Sequence, residues 1–282
     1  MGVIDLNKYK DNIELDREKF VSCDPYPCVI LDDFLDEEAV AGVDKEILEL
    51  SNKKTSAAEK VFHPFIHINA KVWGTVRKQG FTKKMENIVS SLQTPSFLEY
   101  LENLTGVQNL IADKELKTGG YVIHKEGGCV NLHVDHRAHP YEKTWSRKVL
   151  LLLYFNENYQ DEYNGHLELW DPKAKEQKLK VAPHFNRCVI QTIEDGYVHG
   201  LPEVMNFPEG DCRKALVLWY YVDEGKEVPL EVTKYYSRPQ DSLFKKFFIH
   251  AENFLLYFHY VYKRLFNMDD TAYIRFLGLF KK

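Results

Sequence analysis

Two side chains that can bind a metal ion stand two residues apart, His133 and Asp135, after a run that is typical of a β-strand. Residues i and i+2 of a strand point to the same face, so the imidazole and the carboxylate can reach one ion. A third ligand must come from elsewhere in the chain, and His199 is the candidate. The spacing therefore predicts a metal site with three protein ligands.

Two imidazoles and one carboxylate leave half of an octahedral coordination sphere open, which is the arrangement of non-haem Fe(II) oxygenases. Arg213 follows His199 by 14 residues on the next predicted strand, where its cation could bind the carboxylate of a co-substrate. It shares a strand face with apolar residues, and a guanidinium in such surroundings is costly unless an anion pairs with it. Lys214 points to the other face, where we expect solvent.

Further polar residues follow the metal strand. His136 and His139 raise the alternative of a zinc hydrolase, but their spacing does not match the H-E-x-x-H pattern of zincins. Five residues are candidates for substrate binding, and an ordinary loop or packing role is the alternative for each. They are Arg137, His139, Trp145, Arg147 and Tyr197.

The strands that must position these side chains begin near Gly119. From there the chain contains seven short runs rich in Val, Leu and aromatic residues, separated by Gly, Asn, Asp and Pro. Many short strands without helical patterns between them predict a β-sandwich or a jelly roll. We expect the helices that precede them to pack on one face.

Helical patterns flank this β-rich part. Residues 1–22 are charged and predicted to be irregular, whereas 37–50 and 83–104 have helical periodicity. A long helix from Phe244 to Leu265 carries an i, i+3, i+4, i+7 apolar stripe. We predict that it packs on the barrel or at a dimer interface, with peripheral membrane contact through 244–282 as the alternative.

Composition excludes several classes of partner and location. A net charge of −5 lacks the cationic field that nucleic-acid binding needs, and no stretch approaches the ~20 apolar residues of a transmembrane helix. The five cysteines form no C-x-x-C pair, so we predict neither a disulfide framework nor a zinc knuckle. With no apolar signal region at the start, these features predict a cytoplasmic protein.

Taken in order, several segments resemble the Fe(II)/2-oxoglutarate-dependent dioxygenase superfamily, in particular its prolyl-4-hydroxylase-like branch. They are Pro25–Leu35, Phe97–Gly106, His133-Val-Asp135, Leu153–Asn156, Gly165–Asp171, Phe185–Arg187, His199-Gly and Arg213–Leu216. The resemblance implies an α+β fold with a double-stranded β-helix core, jelly-roll or cupin-like, at about 119–223. It also implies an oxygenase domain over 1–235, buttressed by N-terminal helices, and a C-terminal helical extension over 236–282.

The resemblance implies a role for each ligand. His133, Asp135 and His199 would hold Fe(II), and Arg213 would pair with the distal carboxylate of 2-oxoglutarate. O2 would be the second co-substrate, and ascorbate is a candidate supporting reductant.

One position departs from the family pattern. Members often carry Ser or Thr two residues after the arginine, where this chain has Ala215. We expect Tyr121, His124 or Tyr154 to supply the missing hydrogen bond to the co-substrate.

The implied reaction couples oxidative decarboxylation of 2-oxoglutarate to oxidation of an unactivated C–H bond. Hydroxylation is the default outcome, and oxidative cyclisation and desaturation stay open. We predict a small metabolite or a saccharide as substrate, since the chain shows no charged track suited to a peptide. The alternatives are a prolyl hydroxylase acting on a protein or peptide, and a non-catalytic scaffold that docks through the aromatic C-terminal helix; a homodimer is a candidate assembly.

Overall fold

A computed structural model describes residues 2–52, 65–67, 69–76, 78–229 and 231–266, with side chains as far as residue 258. The strands are β1 (Cys28–Leu31), β2 (Phe65–Ile66), β3 (Ala70–Val72), β4 (Gly74–Val76), β5 (Ile111–Ala112), β6 (Gly120–His124), β7 (Cys129–Val134), β8 (Trp145–Tyr154), β9 (Leu167–Trp170), β10 (Gln177–Val181), β11 (Cys188–Thr192), β12 (Val198–Leu201), β13 (Arg213–Asp223) and β14 (Lys234–Tyr235). The helices are α1 (Leu6–Asp11), α2 (Ile13–Ser22), α3 (Glu37–Val40), α4 (Val43–Asn52), α5 (Lys83–Ser91), α6 (Pro95–Thr105) and α7 (Leu243–Phe266).

Two antiparallel sheets form the centre of the molecule. The first has the order β1-β11-β8-β13-β6-β4, with β5 paired to β13, and the second has the order β10-β9-β12-β7-β3-β2, with β14 paired to β7. From β6 to β13 the chain passes back and forth between the sheets, which is the winding of a double-stranded β-helix. The predicted antiparallel, β-rich core is therefore confirmed.

All seven predicted runs form strands, and the structure adds β12, which the sequence did not indicate. This strand has only four residues and contains Gly200, a residue depleted in strands. The glycine is needed because a Cβ at this position would lie 2.9 Å from the carbonyl oxygens of Val130 and Asn131 on β7. Gly200 thus lets β12 approach the strand that carries the predicted metal ligands.

The N-terminal segment is helical, so the prediction of an irregular segment over 1–22 is wrong. Asp5 begins α1 by accepting hydrogen bonds from the backbone N–H groups of Asn7 and Lys8. In α2 the buried side chains are Asp16 and Phe20, one turn apart. So few apolar residues give no clear period, and packing against α6 supplies the order that local propensity does not.

The helices predicted over 37–50 and 83–104 are present, each as two pieces. Thr82 and Thr94 begin α5 and α6 by accepting hydrogen bonds from the N–H groups three residues on, and Pro95 occupies the first turn of α6. Gly106 ends α6 with a φ of 78°, a left-handed conformation in which only glycine is unstrained.

Two hydrophobic clusters lie on opposite faces of the first sheet. One fills the space between this sheet and the helices, and Phe97, Tyr100 and Tyr121 lie fully buried in it. The other lies between the two sheets and includes Tyr154 and Ala215. Burying each large apolar side chain is worth roughly 1.5–3 kcal/mol, so the helices are firmly held to the sheet that supports the inner cluster.

Two polar features differ from expectation. The sequence predicted no disulfide framework, but the structure has one disulfide, between Cys23 and Cys28, with Cα atoms 5.6 Å apart. Lys214 does point away from Arg213, but it is buried instead of reaching solvent. Its Nζ lies 2.8 Å from Asp44 Oδ1 and 2.6 Å from Asp211 Oδ1, because α4 covers that face of β13.

The C-terminal helix α7 follows β14, the short strand at the edge of β7, and packs against it. Asn253 fixes it there: its Nδ2 donates to the carbonyl oxygen of Tyr235 and its Oδ1 accepts from the N–H of the same residue. None of the helices in the described ranges has the length and apolarity to cross a membrane. The rest of the predicted extension, 267–282, lies outside the described residues.

Candidate metal centre

The three predicted ligands meet because β7 and β12 are neighbours. His133 lies near the end of β7, Asp135 follows that strand directly, and the register pairs His199 with His133. The two imidazole centroids are 4.5 Å apart. A single register thus brings together residues that are distant in sequence.

Their ligand atoms converge on one point. Nε2 of His133 lies 3.6 Å from Asp135 Oδ1, and Nε2 of His199 lies 3.2 Å from Asp135 Oδ2. One ligand atom from each residue falls within 4.8 Å of the others. Despite the short distance to His199, the buried Oδ2 atom has no hydrogen bond of acceptable geometry. The three groups therefore face a common centre that a metal ion fits.

Backbone carbonyls orient both imidazoles. Nδ1 of His133 lies 2.9 Å from the carbonyl oxygen of Asn131, and Nδ1 of His199 lies 3.2 Å from that of Tyr197. A carbonyl oxygen only accepts, so each Nδ1 carries the proton and each Nε2 keeps a lone pair for a metal. Burial alone would raise the pKa of the Asp135 carboxyl, but the facing His199 and His133 lower it well below its usual range. The set would offer a metal ion one nitrogen from each imidazole and one carboxylate.

A second polar pocket surrounds Arg213, the first residue of β13. Its side chain is buried, its Nε donates to the carbonyl oxygen of Gly165 at 2.7 Å, and its guanidinium lies 5.0 Å from the ring centroid of Tyr154. A Cβ at Gly165 would approach Arg213 Cδ to 2.9 Å, so a glycine is required beside it. Within the described ranges no Asp or Glu forms an ion pair with Arg213.

Two neutral groups complete this pocket. The hydroxyl of Tyr154 and both ring nitrogens of His124 are buried without a hydrogen-bond partner among the described residues. His124 lies opposite Arg213 in the β6–β13 pairing. Burial and the neighbouring Arg213 hold the pKa of His124 well below its usual range, so the imidazole is neutral. A buried cation beside unpaired hydrogen-bonding groups suits the carboxylate of a ligand.

Comparison with known families settles what kind of protein carries this arrangement. Residues 119–221 match the family described as the 2OG-Fe(II) oxygenase superfamily, and all four key residues fall within this range. The match spans the strands from β6 through most of β13. It indicates a 2-oxoglutarate-dependent non-haem iron dioxygenase, a class of enzyme whose cofactor is Fe(II) and whose co-substrate is 2-oxoglutarate.

Solved structures agree on the fold. A prolyl hydroxylase from Trichoplax adhaerens, in complex with a hypoxia inducible factor peptide fragment, aligns with a TM-score of 0.53 at 17% identity, covering 78% of this chain and 93% of that one. A Pseudomonas putida prolyl-4-hydroxylase aligns with a TM-score of 0.52 at 15% identity, covering 74% and 98%. A prolyl 4-hydroxylase from Phytophthora capsici aligns with a TM-score of 0.51 at 18% identity, covering 82% of this chain and 72% of that one. No curated protein matches the chain in sequence.

The oxygenase residues expected near 2-oxoglutarate divide into two groups. Tyr154 and His124 lie beside Arg213, on the face between the sheets, together with Ala215. Tyr121 lies on the opposite face, in the helix-side cluster, where its hydroxyl donates to the carbonyl oxygen of Met85. The alternation of β6 explains the division, since 121 and 124 differ by an odd number of residues.

The residues expected to bind substrate are also divided. Arg137 is partly exposed and pairs with Glu231 at 2.7 Å, and Tyr197 stacks on Tyr26 with ring centroids 4.2 Å apart. His139 is buried, and its Nδ1 accepts from the N–H groups of residues 141 and 142. Trp145 packs against His139. His139 and Trp145 thus stabilise the turn that contains residues 141 and 142.

Two residues beside the site, and one on the inner face of the first sheet, were not among the sequence candidates. Tyr235 of β14 pairs with His133 and packs its ring 5.6 Å from it, and the Tyr26 hydroxyl donates to the carbonyl oxygen of Val198. Gln191 on β11 is fully buried, and both atoms of its amide have no partner among the described residues. The sequence could have indicated Gln191, because it lies two residues after Val189 on the same strand and therefore faces the same inner cluster.

Proposed function

We propose that this protein is an Fe(II)- and 2-oxoglutarate-dependent hydroxylase in which His133, Asp135 and His199 hold the iron. Arg213, with Tyr154 and His124, would bind the distal carboxylate of 2-oxoglutarate. The convergence of three ligand atoms within 4.8 Å, beside a buried cation that lacks a carboxylate, carries the proposal. Asp135 argues against halogenation, because the carboxylate occupies the position that a halide would need.

Bound Fe(II), with 2-oxoglutarate and O2, supplies an oxidant able to attack an unactivated C–H bond. The chain's own residues bind and orient the reactants. The carbonyl groups of Asn131 and Tyr197 hold the imidazoles, so that each would present its Nε2 to the iron. The inner hydrophobic cluster, with Leu152 and Val189, keeps water away from the site.

Arg147 is the best-placed residue to bind substrate. Its guanidinium is buried, lies 4.3 Å from the ring centroid of Trp219, and has no ion-pair partner in the described part of the chain. Its Nη1 donates to the carbonyl oxygen of His136, the residue next to Asp135, at 3.3 Å. A cation stacked on an aromatic ring beside the metal ligands suits a substrate with a carbonyl or carboxylate near the reacting carbon.

Two substrate classes present such a group. A prolyl residue in a peptide is supported by the fold shared with the prolyl hydroxylases of T. adhaerens and P. putida. A small metabolite or a saccharide bearing a carboxylate is supported by Arg147, whose charge is better matched by an anion than by a peptide carbonyl. Hydroxylation is the proposed outcome for either class.

The test is succinate release from 2-oxoglutarate by purified protein with Fe(II) and ascorbate, against panels of proline-containing peptides and small carboxylic acids. We expect one panel to stimulate release and to yield a product heavier by one oxygen atom. His133→Ala and Asp135→Ala should abolish the stimulation, whereas His250→Ala, an exposed histidine on α7, should not. Equal turnover by parent and His133→Ala would refute the ligand assignment.

The alternative of a non-catalytic scaffold has its own test. An anaerobic Fe(II) titration of the parent should show saturable binding that His199→Ala weakens strongly. If the parent binds no Fe(II), the scaffold is the better description, whatever the substrate panels show.

A further inference from the structure

The aromatic face of α7 points away from the protein. Phe244 is 73% exposed and Phe254 is 63% exposed, although Phe is among the residues most often buried. Of the thirteen large apolar side chains that are exposed in the described ranges, seven lie on this one helix. They are Leu243, Phe244, Phe247, Phe254, Leu255, Tyr257 and Phe258. Of the two predicted positions for the stripe, packing on the barrel is therefore wrong for Phe244, Phe247, Leu255 and Phe258, whereas a dimer interface stays a prediction.

The opposite face of the helix fixes this orientation. At about 100° per residue, positions 243, 247, 254 and 258 fall within an arc of roughly 60°, and positions 249 and 252 lie across the helix from it. Ile249 and Glu252 are buried against the domain. Glu252 accepts a hydrogen bond from the N–H of Asn69 at 2.8 Å. Because polar contacts hold the inner face, the apolar arc is presented outward.

The helix begins a cationic segment of an acidic protein. Residues 243–282 contain seven Lys or Arg and three Asp or Glu, whereas the whole chain has a net charge of −5. One of the three acids is Glu252, which is buried on the domain and does not face a partner. Lys246 lies beside the apolar arc. Lys245 pairs with Asp241 at 3.1 Å, whereas Lys246 has no ion pair in the described ranges. An apolar arc with a positive charge beside it is complementary to a bilayer surface, which is apolar within and anionic at the headgroups.

We propose that α7 docks this protein on the surface of an anionic lipid bilayer. Phe244, Phe247, Phe254 and Phe258 enter the boundary between headgroups and acyl chains, and Lys246 lies among the anionic headgroups. The helix lies in the plane of the interface and does not span the bilayer, in agreement with the finding that no helix in the described ranges is both long and apolar enough to cross a membrane. Phe and Tyr suit this boundary because they bring large apolar area on a rigid side chain.

A second copy of the chain is the competing occupant of this face. Pairing two α7 helices through their apolar arcs would bring two positively charged segments together, and their repulsion would weaken the dimer. An anionic bilayer would instead attract the same segment. The charge balance therefore favours lipid.

The test is co-sedimentation of the full-length protein with vesicles of phosphatidylcholine alone or with 30% phosphatidylserine. We expect binding to the anionic vesicles that falls steeply when the salt concentration rises. Phe247→Ser combined with Phe254→Ser should lower the partition coefficient by at least about tenfold. Lys246→Glu should lower it more at low salt than at high salt.

The matched control is Leu15→Ser combined with Val204→Ser, which removes two exposed apolar side chains far from α7 in sequence and should leave vesicle binding unchanged. Circular dichroism melts establish that each variant folds. Three outcomes would overturn the proposal: no binding of the parent to anionic vesicles, equal binding by the Phe247→Ser/Phe254→Ser variant, or a stable dimer in light scattering that this variant converts to a monomer. None of these readouts depends on iron or on turnover.

Discussion

At the scale of single residues, the site is defined by buried polar groups that the protein does not satisfy by itself. Arg213 is 3% exposed and makes one hydrogen bond, to Gly165, while the Tyr154 hydroxyl beside it has no partner among the described residues. An unpaired buried cation is costly, so a ligand that supplies a carboxylate recovers that cost on binding. Burial and charge alone thus support the proposed 2-oxoglutarate pocket, without reference to iron.

Arg213→Ala should therefore weaken 2-oxoglutarate binding by about 3–5 kcal/mol and leave metal binding nearly unchanged. Anaerobic calorimetric titrations with Fe(II), followed by 2-oxoglutarate, measure both. Arg17→Ala is the control, because that arginine is exposed on α2, outside the two sheets. Unchanged affinity for 2-oxoglutarate in Arg213→Ala would place the carboxylate elsewhere.

Gln191 is a second buried polar residue whose hydrogen-bonding groups are not satisfied among the described residues. Its amide is fully buried and makes no hydrogen bond with the described residues, which costs about 1–3 kcal/mol. Gln191→Leu should raise the free energy of unfolding by about 1 kcal/mol in urea titrations without ligand. Asn131→Leu is the contrasting variant, because that amide donates to Asn69 Oδ1, and we expect it to lose stability. A loss of stability in Gln191→Leu would show that the amide is satisfied.

At the scale of elements, one strand connects the metal site to the C-terminal helix. β7 carries His133, pairs with β12 on one side, and pairs with β3 and β14 on the other. Glu252 of α7 binds Asn69 just before β3, and Asn69 in turn accepts from Asn131 of β7. The helix is therefore linked by hydrogen bonds to the strand that orients His133.

Removing this link should destabilise the fold. Glu252→Ala leaves the buried groups of His67 and Asn69 without their charged acceptor, and we expect a loss of about 2–3 kcal/mol in the free energy of unfolding. Glu49→Ala, an exposed glutamate on α4, should change it by less than about 0.5 kcal/mol. Equal effects of the two substitutions in chemical denaturation would show that the buried link contributes little.

At the scale of the whole molecule, the predicted boundary between residues 235 and 236 separates parts that share buried contacts. Ile249 and Glu252 are buried, and Asn253 forms two hydrogen bonds with Tyr235 of β14. An extension that contributes to the buried interior is not expected to behave as an independent unit.

A protein truncated after residue 235 should thus melt at a lower temperature than the full chain. Loss of about 3 kcal/mol of contacts corresponds to a drop of roughly 6–12 °C for a chain of this size. A scanning calorimetry trace of the full chain should show one cooperative transition. Two separate transitions, or an unchanged melting temperature after truncation, would support an independent extension.

Local rules account for much of the fold. Strand alternation predicted that His133 and Asp135 share a face, and short apolar runs predicted the seven core strands. Thr82, Thr94 and Pro95 begin helices as their types predict. The same rules failed for α2, whose few apolar residues carry no clear period, and for Tyr121, whose side of the sheet depends on parity within β6.

The sequence by itself determined the chemistry that is available: an imidazole and a carboxylate two residues apart, a distant histidine, and an arginine on an apolar strand face. The tertiary structure decided which groups meet. Pairing of β7 with β12, which Gly200 permits, brings His199 to His133, and burial decides that Arg213 lacks a counter-ion while Lys214 has two. The outward aromatic face of α7 was also decided only there, because a periodic stripe shows that a helix has an apolar side but not what that side faces.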